Sequence, residues 1–443
     1  MKKLMHIGLL LLTTMSVSVF AAPEIITWKT SNGANVYFVE THDLPIVDVQ
    51  VVFDAGSVRD TGDKRGLSLL VNSLLELGAN GLNADQISFE FERLGAEYSA
   101  QSGHDSSSVS LRSLSDQSKL VKAVEMLRQV IAFPEFQQKD FERQRNNLLV
   151  SIQRKHQSPA SIAKERFEQE IYQGHPYGNA NEGSPDTLEQ IAREDLVNFH
   201  KQFYTTTNTI ISIVGDIKRQ SAEKLVEELL KSLPEGQANK AIAVVNDLER
   251  GKTIRIPHLS TQVHILIGQP GIKYGDPDYF PLYVGNHILG GGGLGSRLFE
   301  EVREKRGLSY GVSSYFSPRR GVGTFMASLQ TRVDQADQAL AVLRETIAEF
   351  RHSGPNKSEL AAAKKYIAGS FPLRTDSNKE ISRYISFIGF YGLPIDHLET
   401  FATKVAAVTV EEIRASFQKR VDVDRFITVM VGPVDAEQGG TIN

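Results

Sequence analysis

Residues 194–214, EDLVNFHKQFYTTTNTIISIV, decide the fold, because a helical pattern passes directly into an apolar strand that ends at Gly215. The same plan returns at residues 411–431, EEIRASFQKRVDVDRFITVMV, which end at Gly432. The two glycines are 217 residues apart (432 minus 215). A helix and strand repeated at this distance indicate that one structural plan is used twice.

A second pair of glycines supports the repeat independently. Gly56 and Gly271 each follow an apolar strand pattern and lie 215 residues apart (271 minus 56), within two residues of the first separation. Between the copies, turn residues and weak periodicity mark a linker. We therefore predict an N-terminal domain at 23–235, a linker at 236–249 and a C-terminal domain at 250–443.

The order of predicted elements in the first copy indicates the fold class. Strand patterns come first, helical patterns follow, and an apolar strand closes the copy at 209–214. The strands are predicted at 24–29, 35–40 and 47–53, and the helices at 67–75, 83–94, 117–132, 137–156 and 187–203. This order predicts an α+β fold in which helices and a sheet form layers.

The composition excludes several classes of function. The 443 residues carry 49 Lys and Arg against 53 Asp and Glu, a net charge of −4, so we expect no nucleic-acid partner. The chain has no cysteine, which excludes disulfides, thiolate metal sites and cysteine nucleophiles. A G-x-S-x-G serine motif is also missing. No two of the 11 histidines lie three or four residues apart, so only a dispersed His site stays open.

Residues 1–22 have the pattern of a secretory signal peptide, with Lys2 and Lys3, an apolar run and small residues suited to cleavage. The alternative is an N-terminal membrane anchor, but the apolar run is short for a bilayer span. We therefore expect an exported product with no membrane span after signal cleavage, and a periplasmic one if the source is Gram-negative.

Residues 290–296, GGGGLGS, formally contain a G-x-G-x-x-G motif. A helical pattern precedes them instead of a strand, and no acid follows at a distance suited to a ribose, so a dinucleotide site is disfavoured. Two interpretations stay open: a flexible bend before the next helix, or a loop whose bare backbone approaches a peptide closely. In the second, Gly291, Gly292, Gly293 and Ser296 are candidate substrate-binding residues.

Residues 296–310, SRLFEEVREKRGLSY, are the most specific stretch of the chain. With the preceding glycines they resemble the C-terminal half of the pitrilysin or insulinase-like zinc metallopeptidases, in the branch that includes mitochondrial processing peptidase. Further agreement lies in GL at 66–67, HPYG at 175–178, GSFPL at 369–373 and YGLP at 391–394. The resemblance implies two homologous domains, each a mostly antiparallel sheet with helices packed on it, arranged as a bowl or half-clam.

Catalytic subunits of this family carry an inverted zinc motif, H-x-x-E-H, and a third glutamate ligand on a later helix. The resemblance places Leu69 and Ser73 at the two His positions, Asn72 at the general base and Ser151 at the third ligand. Leucine has no ligand atom, serine is a poor zinc ligand, and asparagine cannot take a proton from water. The resemblance thus implies no cofactor in this chain and zinc in a partner subunit.

Arg303 and Tyr310 match the pair with which the second domain of this family reaches the substrate at a facing zinc site. A tyrosine hydroxyl is a strong donor to an oxyanion, and a guanidinium can hold a peptide carbonyl. Outside that motif they would be a solvated helix charge and a strand aromatic. The resemblance implies that both act in trans, on the substrate of the partner.

These features predict the non-zinc-binding subunit of an exported heterodimeric zinc metalloendopeptidase that acts on peptides or unfolded proteins. Its partner would be a zinc-bearing homologous subunit. The polar strand pattern at 96–113 would bind an extended substrate, or else it is only an edge guarded against aggregation. The alternative function is a non-catalytic structural or peptide-binding protein of the same fold, and a stand-alone peptidase with an unusual metal site is a third.

Overall fold

Residues 24–433, which the computed structural model describes, form two separate main sheets with helices packed against them. The signal peptide predicted at 1–22 lies outside the described residues. Within the described range, no helix has both the length and the apolar character needed to cross a membrane. The α+β class predicted from the sequence is confirmed.

The elements follow one another in two similar series. Those of the first half are β1 (Ile26–Lys29), β2 (Asn35–Glu40), β3 (Ile46–Phe53), α1 (Leu67–Leu74), β4 (Gly78–Ala79), β5 (Leu82–Asn83), α2 (Ala84–Leu94), β6 (Glu97–Ser102), β7 (Ser107–Leu114), α3 (Gln117–Ala132), α4 (Gln138–Lys155), α5 (Pro159–Ile171), α6 (Pro185–Gln190), α7 (Arg193–Phe203), β8 (Thr209–Gly215) and α8 (Arg219–Leu230). Those of the second half are β9 (Lys252–Pro257), β10 (Gln262–Pro270), α9 (Tyr279–Asn286), β11 (Val312–Ser317), β12 (Thr324–Arg332), α10 (Ala336–Ser353), α11 (Lys357–Ser370), α12 (Asn378–Tyr391), α13 (His397–Ala407), α14 (Val410–Arg420) and β13 (Ile427–Gly432).

The two main sheets share one topology. The first has the strand order β1-β2-β8-β3-β7-β6, and the second has the order β11-β12-β10-β13-β9. The series β2-β8-β3-β7-β6 corresponds to β9-β13-β10-β12-β11, and in both the first pair is parallel while the other pairs are antiparallel. Each half is therefore a mostly antiparallel sheet, and the duplication inferred from the glycine spacing is present in the fold.

The repeated glycines lie where two backbones come close. Gly215 ends β8 with a φ of 143°, and a Cβ at this position would lie 2.1 Å from the carbonyl oxygen of Ile46. Gly432 ends β13, where a Cβ would lie 2.8 Å from the Cα of Val263. Because neither site has room for a side chain, both copies of the plan need glycine at the end of this strand.

Each main sheet is covered on one face by a helix from the other half. Helix α5 of the first half packs on β10 and β13, and α12 of the second half packs on β3 and β8. Phe167 of α5 is fully buried, and a Cβ added to Gly268 of β10 would lie 2.9 Å from its ring. The hydroxyls of Ser382 and Ser386 on α12 each lie 2.7 Å from the hydroxyl of Ser212 on β8. The two halves thus interlock.

The sequence patterns do not predict α5 and α8, and they merge α6 and α7 into one helix at 187–203. The start of α5 does carry a signal, because Pro159 occupies its first turn. Its buried residues include Ala163, Phe167 and Ile171, which follow one another at intervals of four. This apolar face is narrow, so the sequence alone does not indicate that α5 packs on the second sheet.

A buried carboxylate joins the two halves at the turn between β6 and β7. Asp105 accepts hydrogen bonds from the hydroxyls of Tyr177 and Tyr391 and from the backbone N–H of Arg320, the last at 2.9 Å. Burial raises the pKa of both tyrosines, so they stay protonated donors. Since Arg320 and Tyr391 belong to the second half, this Asp105 clasp fixes the position of one half against the other.

The predicted linker at 236–249 lies wholly within the described residues and contains neither helix nor strand. It is nevertheless held to the first half. The side chain of Asn239 donates to the carbonyl of Asp54 at 2.7 Å, and Arg59 donates to the carbonyl of Lys240 at the same distance. The exact domain boundaries stay a prediction. Helices α5 and α12 each pack on the sheet of the opposite half.

Phe167→Ala is expected to lower the free energy of unfolding by about 3 to 5 kcal/mol, because it leaves a cavity between α5 and the second sheet. Phe89→Ala is the matched control, since Phe89 is 61% exposed and should contribute less than about 0.5 kcal/mol. Urea unfolding followed by circular dichroism measures both changes. Equal effects of the two substitutions would contradict the packing described for α5.

Acid is expected to lower the free energy of unfolding through His104, which is next to Asp105 in the chain. Burial lowers the pKa of His104 to about 3, with smaller contributions from Arg319 and Lys164, and its Nδ1 lies 3.1 Å from the hydroxyl of Ser57. The unfolded chain takes up this proton near pH 6.5 and the folded chain does not. Stability is therefore present above pH 6.5 and is lost as the pH falls from there towards 3.

His104→Asn should reduce this loss of stability by at most about 1.4 kcal/mol per pH unit, because the unfolded chain then lacks a histidine that takes up a proton the folded chain does not bind. The control is His352→Asn, since His352 is exposed at the end of α10. Free energies of unfolding measured between pH 7.5 and 5 give the slopes. If His104→Asn and wild type have the same slope, His104 does not contribute to acid sensitivity.

Candidate functional site

The positions matched to the zinc ligands and to the general base lie on two helices that pack against each other. Leu69, Asn72 and Ser73 are on α1, and Ser151 is on α4, which contacts α1. Leu69 and Ser73 are one turn apart and both are half-buried, so they share one face of the helix. Helix α1 also packs against β6, the edge strand of the first sheet.

The polar groups of Asn72 and Ser73 already make hydrogen bonds within the fold, whereas Ser151 is exposed. The amide oxygen of buried Asn72 accepts a hydrogen bond from the hydroxyl of Tyr204 at 3.1 Å. The hydroxyl of Ser73 donates to the carbonyl of Leu70 at 3.0 Å. Across residues 24–433, no group of three or more His, Asp or Glu side chains could hold a metal ion. The side chains at the four positions do not fit a zinc ion.

Arg303 and Tyr310 are brought together in the second half. Arg303 lies in the segment Phe299–Glu304, which has π-helical hydrogen bonding where the sequence predicts an ordinary helix, and Tyr310 follows it shortly before β11. The guanidinium carbon of Arg303 lies 4.3 Å from the centre of the Tyr310 ring and 4.7 Å from that of Phe299. Tyr310 is 78% exposed, so a second molecule can reach it.

The charges around Arg303 leave it without a carboxylate partner. Lys305 forms ion pairs with Glu300 and Glu301, at 3.0 and 2.6 Å. Arg306 also pairs with Glu301, at 2.6 Å. Among the described residues, no acid lies within ion-pair distance of Arg303, whose planar side chain is held by two rings. A guanidinium fixed in this way can bind a carbonyl or an anionic oxygen.

The glycine-rich loop comes directly before this segment. Gly291 and Gly293 are exposed, and Gly292 is half-buried, where a Cβ would lie 2.7 Å from the carbonyl oxygen of His287. Ser296 is buried, and its hydroxyl donates to the carbonyl of Gly293 at 2.8 Å. Ser296 therefore stabilises the loop, and a role of the exposed glycine backbone in substrate binding stays a prediction.

The polar strand pattern at 96–113 forms β6 and β7, with β6 at the edge of the sheet. The Asp105 clasp holds the turn between these strands, and the sequence patterns do not predict it. A signal was present, because Tyr177 and Tyr391 belong to two of the stretches that carry the resemblance. Nothing in either stretch, however, identifies Asp105 as the group that both tyrosines bind.

The fold and the site together define a class of protein. A duplicated α+β fold carries an edge strand beside a helix whose metal-ligand positions hold Leu and Ser, and a tyrosine with an unpaired arginine lies on the other half. This combination describes a zinc-peptidase fold without the residues that would bind the metal.

Comparison with known proteins agrees with this class. Residues 36–184 match the family profile described as insulinase (peptidase family M16), and residues 190–367 match the one described as the peptidase M16 inactive domain. A solved structure of a peptidase M16 inactive domain from Pseudomonas fluorescens is 36% identical, with a TM-score of 0.90, over 93% of this chain and 98% of that one. The chain belongs to peptidase family M16, so the resemblance noted in the sequence is confirmed.

Two curated relatives match over almost the whole chain. A Helicobacter pylori protein named non-peptidase homolog YmxG is 25% identical, over 93% of this chain and 96% of its own length. The beta subunit of mitochondrial-processing peptidase from Dictyostelium discoideum is 22% identical, over 93% of this chain and 90% of its own length.

Restoring the three ligand positions and the general-base position is expected to create a zinc site. Leu69→His, Asn72→Glu, Ser73→His and Ser151→Glu together supply the missing groups on helices that already pack side by side. Elemental analysis after dialysis should find about one zinc per chain in this variant and no stoichiometric zinc in wild type.

The control for this experiment keeps Ser151 and changes only the three positions on α1. It lacks the third ligand, so we expect it to lose zinc during dialysis. A folded quadruple variant that contains no zinc would show that the four positions are wrongly placed, and zinc in wild type would show that this chain has a metal site elsewhere.

Proposed function

We propose that this chain is the non-zinc-binding subunit of an exported heterodimeric zinc metalloendopeptidase. It supplies Arg303 and Tyr310 to the substrate at the zinc site of a homologous partner. The observation that carries the proposal is the geometry of this pair, stacked at 4.3 Å with the tyrosine 78% exposed and the arginine without an acid partner in residues 24–433.

The two side chains suit two different tasks. When water attacks a peptide bond, the carbonyl oxygen becomes an oxyanion, and the Tyr310 hydroxyl can donate a hydrogen bond to it. Arg303 can hold the same oxygen or a neighbouring substrate carbonyl, since its guanidinium offers several donors in one plane. The metal, its ligands and the general base are the contribution of the partner.

The family relationship supports a subunit that does not act alone. One relative is described as an inactive domain and another as a non-peptidase homolog, while a third is by name one subunit of a processing peptidase. The loss of all four metal-site residues agrees with these names. Export rests on the signal-peptide pattern at 1–22, and a periplasmic location is proposed on the same ground.

Peptides or unfolded proteins are the proposed substrates. Strand β6 has its outer edge unpaired within the described sheet, so an extended chain can add to it by main-chain hydrogen bonds. Its exposed residues Glu97, Ser99 and Gln101 are polar and impose no bulky apolar barrier. Helix α1, with the substituted ligand positions, lies beside this strand, so substrate held here would not be cut by this chain.

The alternative is a non-catalytic structural or peptide-binding protein of the same fold. It explains the substituted zinc motif equally well, and it gives no role to the exposed pair. The two functions differ in what Arg303 and Tyr310 do for a zinc-bearing partner.

Tyr310→Phe and Arg303→Ala are each expected to lower the turnover of the reconstituted complex by about 100- to 1000-fold, because each removes a donor to the oxyanion or to a neighbouring substrate carbonyl. The partner is first isolated with the tagged chain from cells that produce both, and is identified by an H-x-x-E-H motif. Cleavage of a quenched fluorescent peptide then measures activity, with the isolated chain expected to be inactive.

Arg332→Ala is the control, since Arg332 is an exposed arginine paired with Asp334 on the surface. It should leave the turnover unchanged. If the complex with Tyr310→Phe or Arg303→Ala assembles and retains wild-type turnover, the proposed function is wrong and the non-catalytic alternative is preferred.

A further inference from the structure

A cavity of about 620 Å³ lies between the two halves. One wall is the inner face of the first sheet and is polar, with Gln50 of β3, Gln101 of β6 and Ser108 of β7. The opposite wall comes from the second half and is aromatic, with Tyr274, Tyr384, Phe387, Tyr391 and Phe401. The cavity thus presents hydrogen-bonding groups on one side and rings on the other, as ligand sites commonly do.

The aromatic wall is held in place before anything binds. The Tyr274 ring lies 4.8 Å from that of Phe387, at 85°, and 4.2 Å from that of Tyr391. The hydroxyl of Tyr391 is fixed by Asp105, and that of Tyr384 lies 3.1 Å from Nδ1 of His397. Rings fixed by such contacts need little ordering when they receive a ligand, which favours affinity for another ring.

The cavity also carries an uncompensated positive charge. Arg383 on its wall pairs with Glu380 at 2.8 Å, so their charges cancel. Arg374 donates to the hydroxyl of Tyr283 at 2.6 Å, and no carboxylate of the described residues lies within ion-pair distance of it. Burial lowers the pKa of His397, which keeps this ring neutral. A carboxylate on a ligand would be the natural partner of Arg374.

The polar wall connects the cavity to the edge strand. Gln101 belongs to β6 and lines the cavity, so the exposed face of β6 borders the cavity. An extended peptide added to β6 would point alternate side chains to the same side. Gln50 of β3 also lines the cavity, so the polar wall continues from the edge strand into the middle of the first sheet.

We propose that this cavity binds an extended peptide that places an aromatic side chain against the rings and a carboxylate, two residues further on, against Arg374. The inference rests on the peptide-binding part of the proposed function and adds the class of peptide. It assigns selectivity to the second half of this chain, away from the substituted zinc positions on α1.

Short fluorescein-labelled peptides test the proposal on the isolated chain. The first peptide contains Phe-Ser-Glu among Gly, Ser and Thr residues, the second replaces Phe by Ala, and the third replaces Glu by Gln. Fluorescence anisotropy at low salt measures affinity. The first peptide is expected to bind at least about tenfold more tightly than the second and about threefold more tightly than the third.

Two variants separate the contributions. Arg374→Ala, at an exposed position, should bind the first and third peptides equally, whereas Arg332→Ala should retain the wild-type difference. Phe387→Leu should reduce the preference for Phe over Ala at least threefold if the rings hold the aromatic side chain. If Phe387→Leu does not fold, the Arg374→Ala variant and the three peptides still decide.

Equal binding of all three peptides to wild type, or binding of none, would overturn this inference. Neither result bears on whether Arg303 and Tyr310 assist a zinc-bearing partner, because no partner is present in the assay. A loss of turnover in the Tyr310→Phe complex together with equal peptide binding would keep the proposed function and reject this cavity as its selectivity site.

Discussion

The reciprocal packing of α5 and α12 is the contact on which the rest of the structure depends. Helix α5 belongs to the first half and covers one face of the second sheet. Helix α12 belongs to the second half and covers one face of the first sheet. Phe167 is buried in the contact of α5, and the contact of α12 combines the hydroxyls of Ser212, Ser382 and Ser386 with an apolar cluster of Ile385, Val39 and Val214. Since each sheet is completed by the opposite half, their relative position is set by the fold, and the Asp105 clasp strengthens it.

A zinc peptidase combines surfaces that hold a substrate with residues that activate water, and this fold has the groups for the first task without those for the second. The first half has the edge strand β6 and the helix beside it, but two of its metal-site positions make hydrogen bonds within the fold. Asn72, at the general-base position, accepts from Tyr204, and Ser73, at a ligand position, donates within its own helix. The second half keeps an exposed donor pair. Under the proposed function, the protein has surfaces that would hold a substrate but not the residues that activate water.

Much of the fold follows from local patterns. The sequence predicts strands β2 and β8 and helix α3, because strand alternation and helical periodicity are properties of neighbouring residues. It also predicts the repeat, because each of the paired glycines follows an apolar strand pattern. The pair Arg303 and Tyr310 is found because the motif is contiguous. Their stacking is seen only in the structure, and the π-helical bonding between Phe299 and Glu304 leaves no trace in the pattern of residue types.

The remainder depends on contacts between distant residues. Helix α5 has a narrow buried face because it covers a sheet from the other half, so its periodicity is weak when the first half is considered alone. Asp105 is one acid in a polar turn, and only the fold brings Tyr391 to it. The aromatic cavity likewise assembles rings from separate segments of the second half. No local pattern of residue types predicts these contacts between distant residues.

The most direct measurement is a structure of this chain bound to its zinc-bearing partner and an uncleavable peptide. The account predicts that the Tyr310 hydroxyl lies about 2.5 to 3.0 Å from the substrate carbonyl oxygen at the metal of the partner, a hydrogen-bond distance. A complex in which Tyr310 faces solvent, or in which the metal lies on α1 of this chain, would contradict it.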